Sequence, residues 1–203
     1  MGKSYRLMAQ NEMIDGHEYV DLGLPSGTLW ATCNVGADKP EEPGDYFSWG
    51  DTEPKEEWEC TPSDYKFDDD DNRGFTKYNE EEGTLLPEDD AATANWGDGW
   101  RMPNEAEAEE LLENTTREWT MLNGRAGMLF TAKNGKTLFL PAAGFYDFED
   151  GHLAGGEEGW YSLNSYNERD RAVCIYCRYK DCAWVANDNH RCCGQSVRTV
   201  RNI

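Results

Sequence analysis

The stretch WYSLNSYNERDRAVCIYCRYKDCAWVANDNHRCCGQSVRTV, from Trp160 to Val200, organises the rest of the chain. It contains five of the seven cysteines and one of the three histidines, and its side chains follow no single period. Apolar runs at 172–177, 183–186 and 196–200 predict three strands joined by polar turns. Diverse side chains on a rigid frame are typical of a recognition surface, whereas an enzyme site converges on a few polar groups. The stretch therefore indicates binding rather than catalysis.

Two hairpins are predicted before this stretch. Residues 19–22 and 28–33 are short apolar runs on either side of a Pro-Ser-Gly turn. Residues 128–131 and 137–140 flank Asn134-Gly135, a pair that favours a tight turn. Both pairs of runs are therefore expected to be antiparallel.

Two short helices are predicted between the hairpins. Residues 87–94 begin with proline and acids, which suit the first turn of a helix. The second helix starts after Asn104, forms a capping box with Glu107, and ends near Asn114. Residues 36–83 are rich in Pro, Gly and acids, and predict long loops pinned by aromatic side chains.

The order of these elements predicts an α+β fold. One domain is expected at 19–203, preceded by an arm at 1–18 that leads to something larger. Its core is expected to bury large apolar side chains, which include Trp30, Trp49, Trp96, Trp100 and Leu140.

Charge is distributed unevenly along the chain. The net charge is -21, of which residues 1–159 contribute -24 and residues 160–203 contribute +3. So acidic a surface repels nucleic acid and keeps the protein in solution. No apolar run is long enough to span a bilayer, and the first residues do not resemble a signal peptide. We therefore expect no nucleic-acid partner and no membrane insertion.

The cysteines and acids raise two metal hypotheses. The acidic run 68–72 could attract calcium, but it lacks the ligand spacing of an EF-hand loop and is predicted to be a solvated loop. Zinc is an alternative because soft ligands are abundant between residues 174 and 193. However, Cys174 and Cys177 would point to opposite faces of a strand. No metal or cofactor is predicted. Cys33, within an apolar strand, is expected to be buried, and most of the five C-terminal cysteines to be accessible.

Several phrases resemble a known family. They are YVDLGLPSGTLWATCNVGA (19–37), GDYFSWGDT (44–52), DDAATANWGDGWRMPNEAEAEELLEN (89–114), TLFLPAAGF (137–145) and GQSVRTVR (194–201). Together they resemble the Fibrobacter succinogenes major paralogous domain, which belongs to the C-type-lectin-like superfamily. RMPNEAEAEELL (101–112) is also similar to the RLPTEAEWEYA helix of formylglycine-generating enzymes.

The resemblance implies a C-type-lectin-like fold, with small twisted antiparallel sheets, two flanking helices and long loops. The same family supplies variable proteins of diversity-generating retroelements, in which adenine-directed mutagenesis rewrites a C-terminal cassette. In this chain the resemblance is lost between residues 163 and 193 and returns at Gly194. The resemblance therefore implies a hypervariable segment at 163–193 in a ligand-binding protein of a phage virion or bacterial surface.

Residue types in the segment agree with such mutagenesis. An AAC codon with both adenines randomised reaches Phe, Ser, Tyr, Cys, Leu, Pro, His, Arg, Ile, Thr, Asn, Val, Ala, Asp and Gly, but never Lys, Gln, Glu, Met or Trp. Glu168, Lys180, Trp184 and Gln195 are therefore assigned to the fixed frame.

The remaining side chains of the segment are candidates for ligand contact. Tyr and Arg are enriched in binding hot spots, and Asn and Asp side chains form adaptable hydrogen bonds with a ligand. The candidates are Leu163, Asn164, Tyr166, Arg169, Arg171, Cys177, Tyr179, Asp181, Ala183, Asn187, Asp188, Asn189, His190, Cys192 and Cys193. The expected partner is a protein or glycan receptor on a target cell, bound by an oligomer or by a chain joined to a larger particle.

Two other functions stay open. The segment could be an irregular loop region of a structural or adhesion domain that is not diversified. The chain could also be an enzyme of the formylglycine-generating type, whose activity depends on C-terminal cysteines. The adjacent Cys192 and Cys193 do not match that motif, and no His or Asp partner lies at a telling spacing, so no enzymatic activity is predicted.

Overall fold

A computed structural model describes residues 12–69, 74–80, 82–148, 151–153, 155–166 and 170–202. Short strands make up most of its regular structure. In chain order the strands and α-helices are β1 (Glu12–Ile14), β2 (His17–Val20), β3 (Leu29–Asn34), β4 (Tyr46–Phe47), β5 (Asp68–Asp69), β6 (Gly74–Phe75), β7 (Gly83–Thr84), α1 (Ala91–Trp96), α2 (Glu105–Asn114), β8 (Thr115–Leu122), β9 (Arg125–Ala132), β10 (Thr137–Pro141), β11 (Phe145–Asp147), β12 (Gly151–Leu153), β13 (Glu158–Ser162), β14 (Ser165–Tyr166), β15 (Arg171–Arg178), β16 (Cys182–His190), β17 (Gln195–Ser196) and β18 (Arg198–Arg201).

Three sheets carry most of the described strands. Their strand orders are β1-β2-β3-β18, β10-β9-β8 and β16-β15-β13-β17-β4. Within these sheets the pairing is antiparallel except between β13 and β17, where Tyr161 lies beside Ser196 in parallel. The chain is therefore mixed α+β with small, mainly antiparallel sheets, which confirms the predicted class.

The first sheet joins the two ends of the described chain. β18 pairs with β3, so that Val200 lies opposite Trp30. β1 pairs with β2 from Glu12 to Tyr19. Residues 12–20 thus form a hairpin of two strands around a turn at Asp15 and Gly16. The rest of the arm expected at 1–18, residues 1–11, lies outside the described residues.

Helix α2 begins and ends where the sequence predicts. The Asn104 side chain accepts a hydrogen bond from the Glu107 amide, and the Glu107 carboxylate accepts one from the Asn104 amide. Arg101 donates to both Glu107 oxygens, at 2.7 and 2.5 Å. Ala108 and Leu111 then face the core. The first predicted helix is instead a 3-10 turn, Pro87–Asp89, followed by α1. Among the described residues no helix is long and apolar enough to cross a membrane.

The largest buried cluster fills the space between α2 and the sheets. It includes Trp30, Leu111, Phe130, Leu140 and Ile175.

Predicted core residues mostly lie in the interior. Trp30, Trp49, Trp100 and Leu140 are buried as predicted. Trp96 is only half-buried, because its ring lies at the edge of the fold, stacked on His17 with centroids 3.8 Å apart.

Strand β8 was not predicted. It pairs with β9 over its full length, from Thr115 opposite Ala132 to Leu122 opposite Arg125. Its sequence, TTREWTML, is mostly polar, and only Leu122 is buried. Because β8 is held by backbone pairing rather than by an apolar face, periodicity gives no signal for it. The two predicted hairpins, β2–β3 and β9–β10, are confirmed.

Candidate functional site

Strand β15 forms a buried centre for the 160–200 stretch. Val173, Ile175 and Cys177 pack into the main core on one face of the sheet. On the other face, Cys174 and Tyr176 form a second cluster with Ala186, and Trp160 packs against it. Because residues 172–177 are buried, a ligand can reach the described hairpin through β16, the turn and the two ends of β15.

That turn projects into solvent. Arg178 pairs with Cys182, which leaves Tyr179, Lys180 and Asp181 as the connecting loop. Lys180 and Asp181 have positive φ values of 72° and 59°, a left-handed conformation that costs non-glycine residues energy. The Tyr179 side chain is 65% exposed. We call Arg178, Tyr179, Lys180 and Trp184 the tip patch.

Strand β8 fixes the position of this turn. The Asp181 carboxylate accepts a hydrogen bond from the Trp119 amide at 2.5 Å. The Arg117 guanidinium donates to the Ala183 carbonyl at 2.9 Å. Two contacts to a paired strand hold the turn, which suits a rigid support for surface side chains.

A row of aromatic rings leads from the interior to the tip patch. Phe145 and Trp160 have centroids 5.2 Å apart, Trp160 and Tyr176 are 4.4 Å apart, and Tyr176 and Trp184 are 4.6 Å apart. The Glu158 carboxylate accepts hydrogen bonds from the Trp160 indole at 2.9 Å and the Tyr176 hydroxyl at 2.6 Å. The row ends at Trp184, which is 40% exposed. Its inner members therefore anchor an exposed indole.

The other end of the hairpin carries a polar group of side chains. His190 Nδ1 lies 3.6 Å from the Asp170 carboxylate, and Arg171 Nε lies 4.0 Å from it. The His190 ring contacts Phe148 edge to face at 5.4 Å. Arg171 and His190 are half-buried, and they are separated from the tip patch by the length of the strands.

The structure divides the fifteen candidate contact residues. Tyr179 and Asp181 are exposed, and Asn164, Arg171, Asn187 and His190 are half-buried. Surface contact was the wrong prediction for the buried candidates, which are Leu163, Tyr166, Cys177, Ala183, Asn189, Cys192 and Cys193. Arg169 and the Asp188 side chain lie outside the described residues.

The buried candidates have structural partners that the sequence did not indicate. Tyr166 packs edge to face on Trp49, with centroids 5.3 Å apart. The Arg191 guanidinium lies 4.2 Å from the Tyr166 ring centroid and 4.9 Å from that of Trp49. This buried cation among aromatic rings ties the end of the segment to the long loop that precedes α1.

The cysteine prediction was wrong for most of the thiols. Cys174, Cys177, Cys192 and Cys193 are buried, and Cys182 is half-buried. Cys33 is half-buried rather than buried. Burial raises the pKa of the Cys177 thiol to about 12. These side chains behave as small apolar residues, which is common for free cysteine.

Sequence reasoning missed three members of the tip patch. Lys180 and Trp184 were assigned to the frame because the randomised codon cannot encode them. Exposure and codon origin are separate properties, so a fixed residue can still be at the surface. The polar run Arg178-Tyr179-Lys180-Asp181 between two apolar runs is the signal that could have placed these residues at a hairpin turn.

No metal site emerges from the described residues. Among them, no group of three or more His, Cys, Asp or Glu side chains is arranged to hold an ion. Cys174 and Cys177 face opposite sides of the sheet, in different clusters. Asp68 and Asp69 of the acidic run lie in β5, and the remainder of the run lies outside the described residues.

One cavity lies apart from the hairpin. It has a volume of about 560 Å³ and is bounded mainly by the β1–β2 hairpin, the loop after β3 and Trp96. Its lining includes His17, Glu18, Cys33 and Asp38. Burial lowers the pKa of His17 even though nearby Asp15 opposes the shift. The cavity is therefore lined by an imidazole, a thiol and two acidic residues.

Comparisons with known proteins give no relatives. No protein-family model, curated protein or solved structure matches this chain.

Proposed function

We propose that the chain is a non-enzymatic ligand-binding protein whose recognition surface is the exposed end of the β15–β16 hairpin. The observation that carries this proposal is the exposure of Tyr179 and Trp184 on a hairpin whose inner strand is buried on both faces. Tyr and Trp give large, rigid contact areas and favour binding hot spots. The hairpin presents them on a support that cannot easily rearrange.

The wider architecture supports a C-type-lectin-like fold. Small antiparallel sheets, two helices and long loops are what the family resemblance implies. On this basis we propose a variable protein of a diversity-generating retroelement, displayed on a phage virion or a bacterial surface. Its partner would be a protein or glycan receptor on a target cell.

The burial of half the candidates narrows this proposal. Variation at a buried position such as Cys177 or Ala183 would disturb packing. Useful variation would therefore concentrate at Asn164, Arg171, Tyr179, Asp181, Asn187 and His190. The DNA beside the gene tests the idea. We expect a reverse transcriptase gene and a template repeat that differs from the 3′ end of this gene at adenines. If the flanking DNA contains neither the reverse transcriptase gene nor the template repeat, diversification is excluded. The proposal then reduces to a ligand-binding domain whose sequence is fixed.

Binding itself is tested on cells. We expect labelled protein to stain some members of a panel of bacterial cells in flow cytometry. The double variant Tyr179→Ala/Trp184→Ala should bind those cells at least tenfold less tightly. Trp58→Ala is the matched control, because Trp58 is 72% exposed in a 3-10 turn outside the hairpin. Equal staining by the double variant and wild type, or no staining of any cell, would count against the proposal.

A further inference from the structure

The tip patch contains two exposed cations, Arg178 and Lys180. In the described part of the chain, neither Arg178 nor Lys180 has a carboxylate oxygen within 4 Å, whereas Lys77 pairs with Glu88 and Asp89. The molecule carries a net charge of -21, so acids are abundant. Two neighbouring cations without an ion pair among the described residues are candidates for contact with a ligand anion.

Two acids of neighbouring positions accept hydrogen bonds from other groups. Asp181 belongs to the same turn, but its carboxylate accepts the Trp119 amide. Glu158 lies opposite Arg178 in the strand pairing, but its two oxygens accept the Trp160 indole and the Tyr176 hydroxyl. In the described part of the chain neither carboxylate forms an ion pair with Arg178 or Lys180, so a ligand anion would not have to displace one.

Aromatic rings hold the Arg178 guanidinium in place. Its central carbon lies 5.7 Å from the Trp184 ring centroid and 6.0 Å from that of Tyr176. A guanidinium beside ring faces keeps N–H donors that can grip a carboxylate or sulfate with two hydrogen bonds. Arg178 thus has a position fixed by its neighbours. A guanidinium has five N–H groups, so donors remain beside the one directed at the Tyr176 hydroxyl.

We propose that the tip patch binds an acidic sugar, with Arg178 on its carboxylate or sulfate group and the exposed indole of Trp184 against the C–H face of its ring. This inference rests on the function proposed above and names its ligand class. The guanidinium and the indole are close enough for one monosaccharide to contact both. An acidic peptide side chain offers the anion on an aliphatic stem and would leave most of the indole uncovered.

A glycan array tests the inference directly. The probes are glycans in pairs that share a neutral core and differ by one sugar bearing a carboxylate or a sulfate. We expect the acidic member of at least one pair to bind tenfold or more tightly than its neutral partner. The preference should weaken as salt is raised, because exposed ion pairs are screened.

Substitutions in the tip patch distinguish the effect of the positive charge of Arg178 from the effect of its planar shape. Arg178→Gln should abolish the preference for the acidic member, and Arg178→Lys should retain only part of it because an ammonium lacks the planar fork. Trp184→Ala should weaken binding to both members. Lys133→Gln is the matched control, because Lys133 is an exposed cation in the turn between β9 and β10. Thermal melts should show that all four variants remain folded.

Three outcomes would overturn the inference: equal binding to acidic and neutral members, binding to an array of acidic peptides instead of glycans, or no binding to any acidic glycan. If cells are still stained in a manner that depends on Tyr179 and Trp184, the ligand class is wrong but the proposed function stands. If staining is also absent, both fail.

Discussion

Two tyrosines of the same segment have opposite environments. Tyr166 is 4% exposed and lies between Trp49 and the Arg191 guanidinium, whereas Tyr179 extends from the tip patch into solvent. We expect Tyr166→Ala to lower the free energy of unfolding by about 3–5 kcal/mol, as for other large buried aromatic residues. Tyr179→Ala should change it by no more than about 0.5 kcal/mol.

Denaturant unfolding measures both changes. Tyr166→Phe serves as a control, since it keeps the ring and should cost much less than alanine. Similar losses for the two alanine variants would mean that the burial of this segment is not as described.

Single residues also mark the limit of what the sequence reveals. Tyr166 and Tyr179 are the same residue type in the same irregular segment, and both are compatible with a randomised codon. Which of them is buried depends on partners such as Trp49, more than a hundred positions away. Such contacts leave no local pattern, so the sequence identified the segment but not its exposed members.

At the scale of elements, local signals were reliable. The capping box of α2 and the Asn134-Gly135 turn are set by residues within a few positions, and both are present. By contrast, the apolar run 172–177 predicted a strand without showing that both of its faces are covered. A sheet edge held by backbone hydrogen bonds, such as β8, gave no apolar pattern at all.

The capping box of α2 leads to a prediction about pH. Burial alone would raise the pKa of Glu107, but hydrogen bonds from Arg101 and the Asn104 amide outweigh burial and hold the pKa below its ordinary value. A carboxylate whose pKa is lower in the folded state stabilises the fold above its unfolded pKa of about 4.3. That contribution is lost as pH falls through the folded-state pKa.

We therefore expect Glu107→Gln to lose about 1–3 kcal/mol of unfolding free energy at pH 7. The gap between this variant and wild type should narrow as acid protonates Glu107. Urea unfolding at neutral and acidic pH measures the gap. Glu109→Gln, at an exposed position of the same helix, should show little change. A gap that is constant with pH would exclude the ionised carboxylate as its source.

On the scale of the whole molecule, the seven cysteines divide into two classes. Cys33 and Cys182 are half-buried, and the other five are buried. Thiols react as thiolates, and burial raises the pKa of Cys60 and Cys177 to about 12. A maleimide reagent at neutral pH should therefore label at most Cys33 and Cys182 in the native protein, and all seven after denaturation.

Intact-mass spectrometry counts the labels, and peptide mapping locates them. The double variant Cys33→Ser/Cys182→Ser should take up no label in the native state. After denaturation it should take up five labels, one at each remaining cysteine. Rapid native labelling of Cys192 or Cys193 would contradict the buried turn that precedes β17.

The left-handed backbone at Asp181 limits which sequences the hairpin can accept. With a φ of 59°, this position suits Gly, Asn and Asp, and strains β-branched residues. A randomised AAC codon supplies all three suitable residues, but it also supplies Val, Ile and Thr. If the proposed diversification acts at this codon, its β-branched products would carry about 1–3 kcal/mol of backbone strain. The least stable of these chains would be lost before any target is met. Folding would then be the first selection step. The number of different folded proteins would be smaller than the number of different sequences that the DNA encodes.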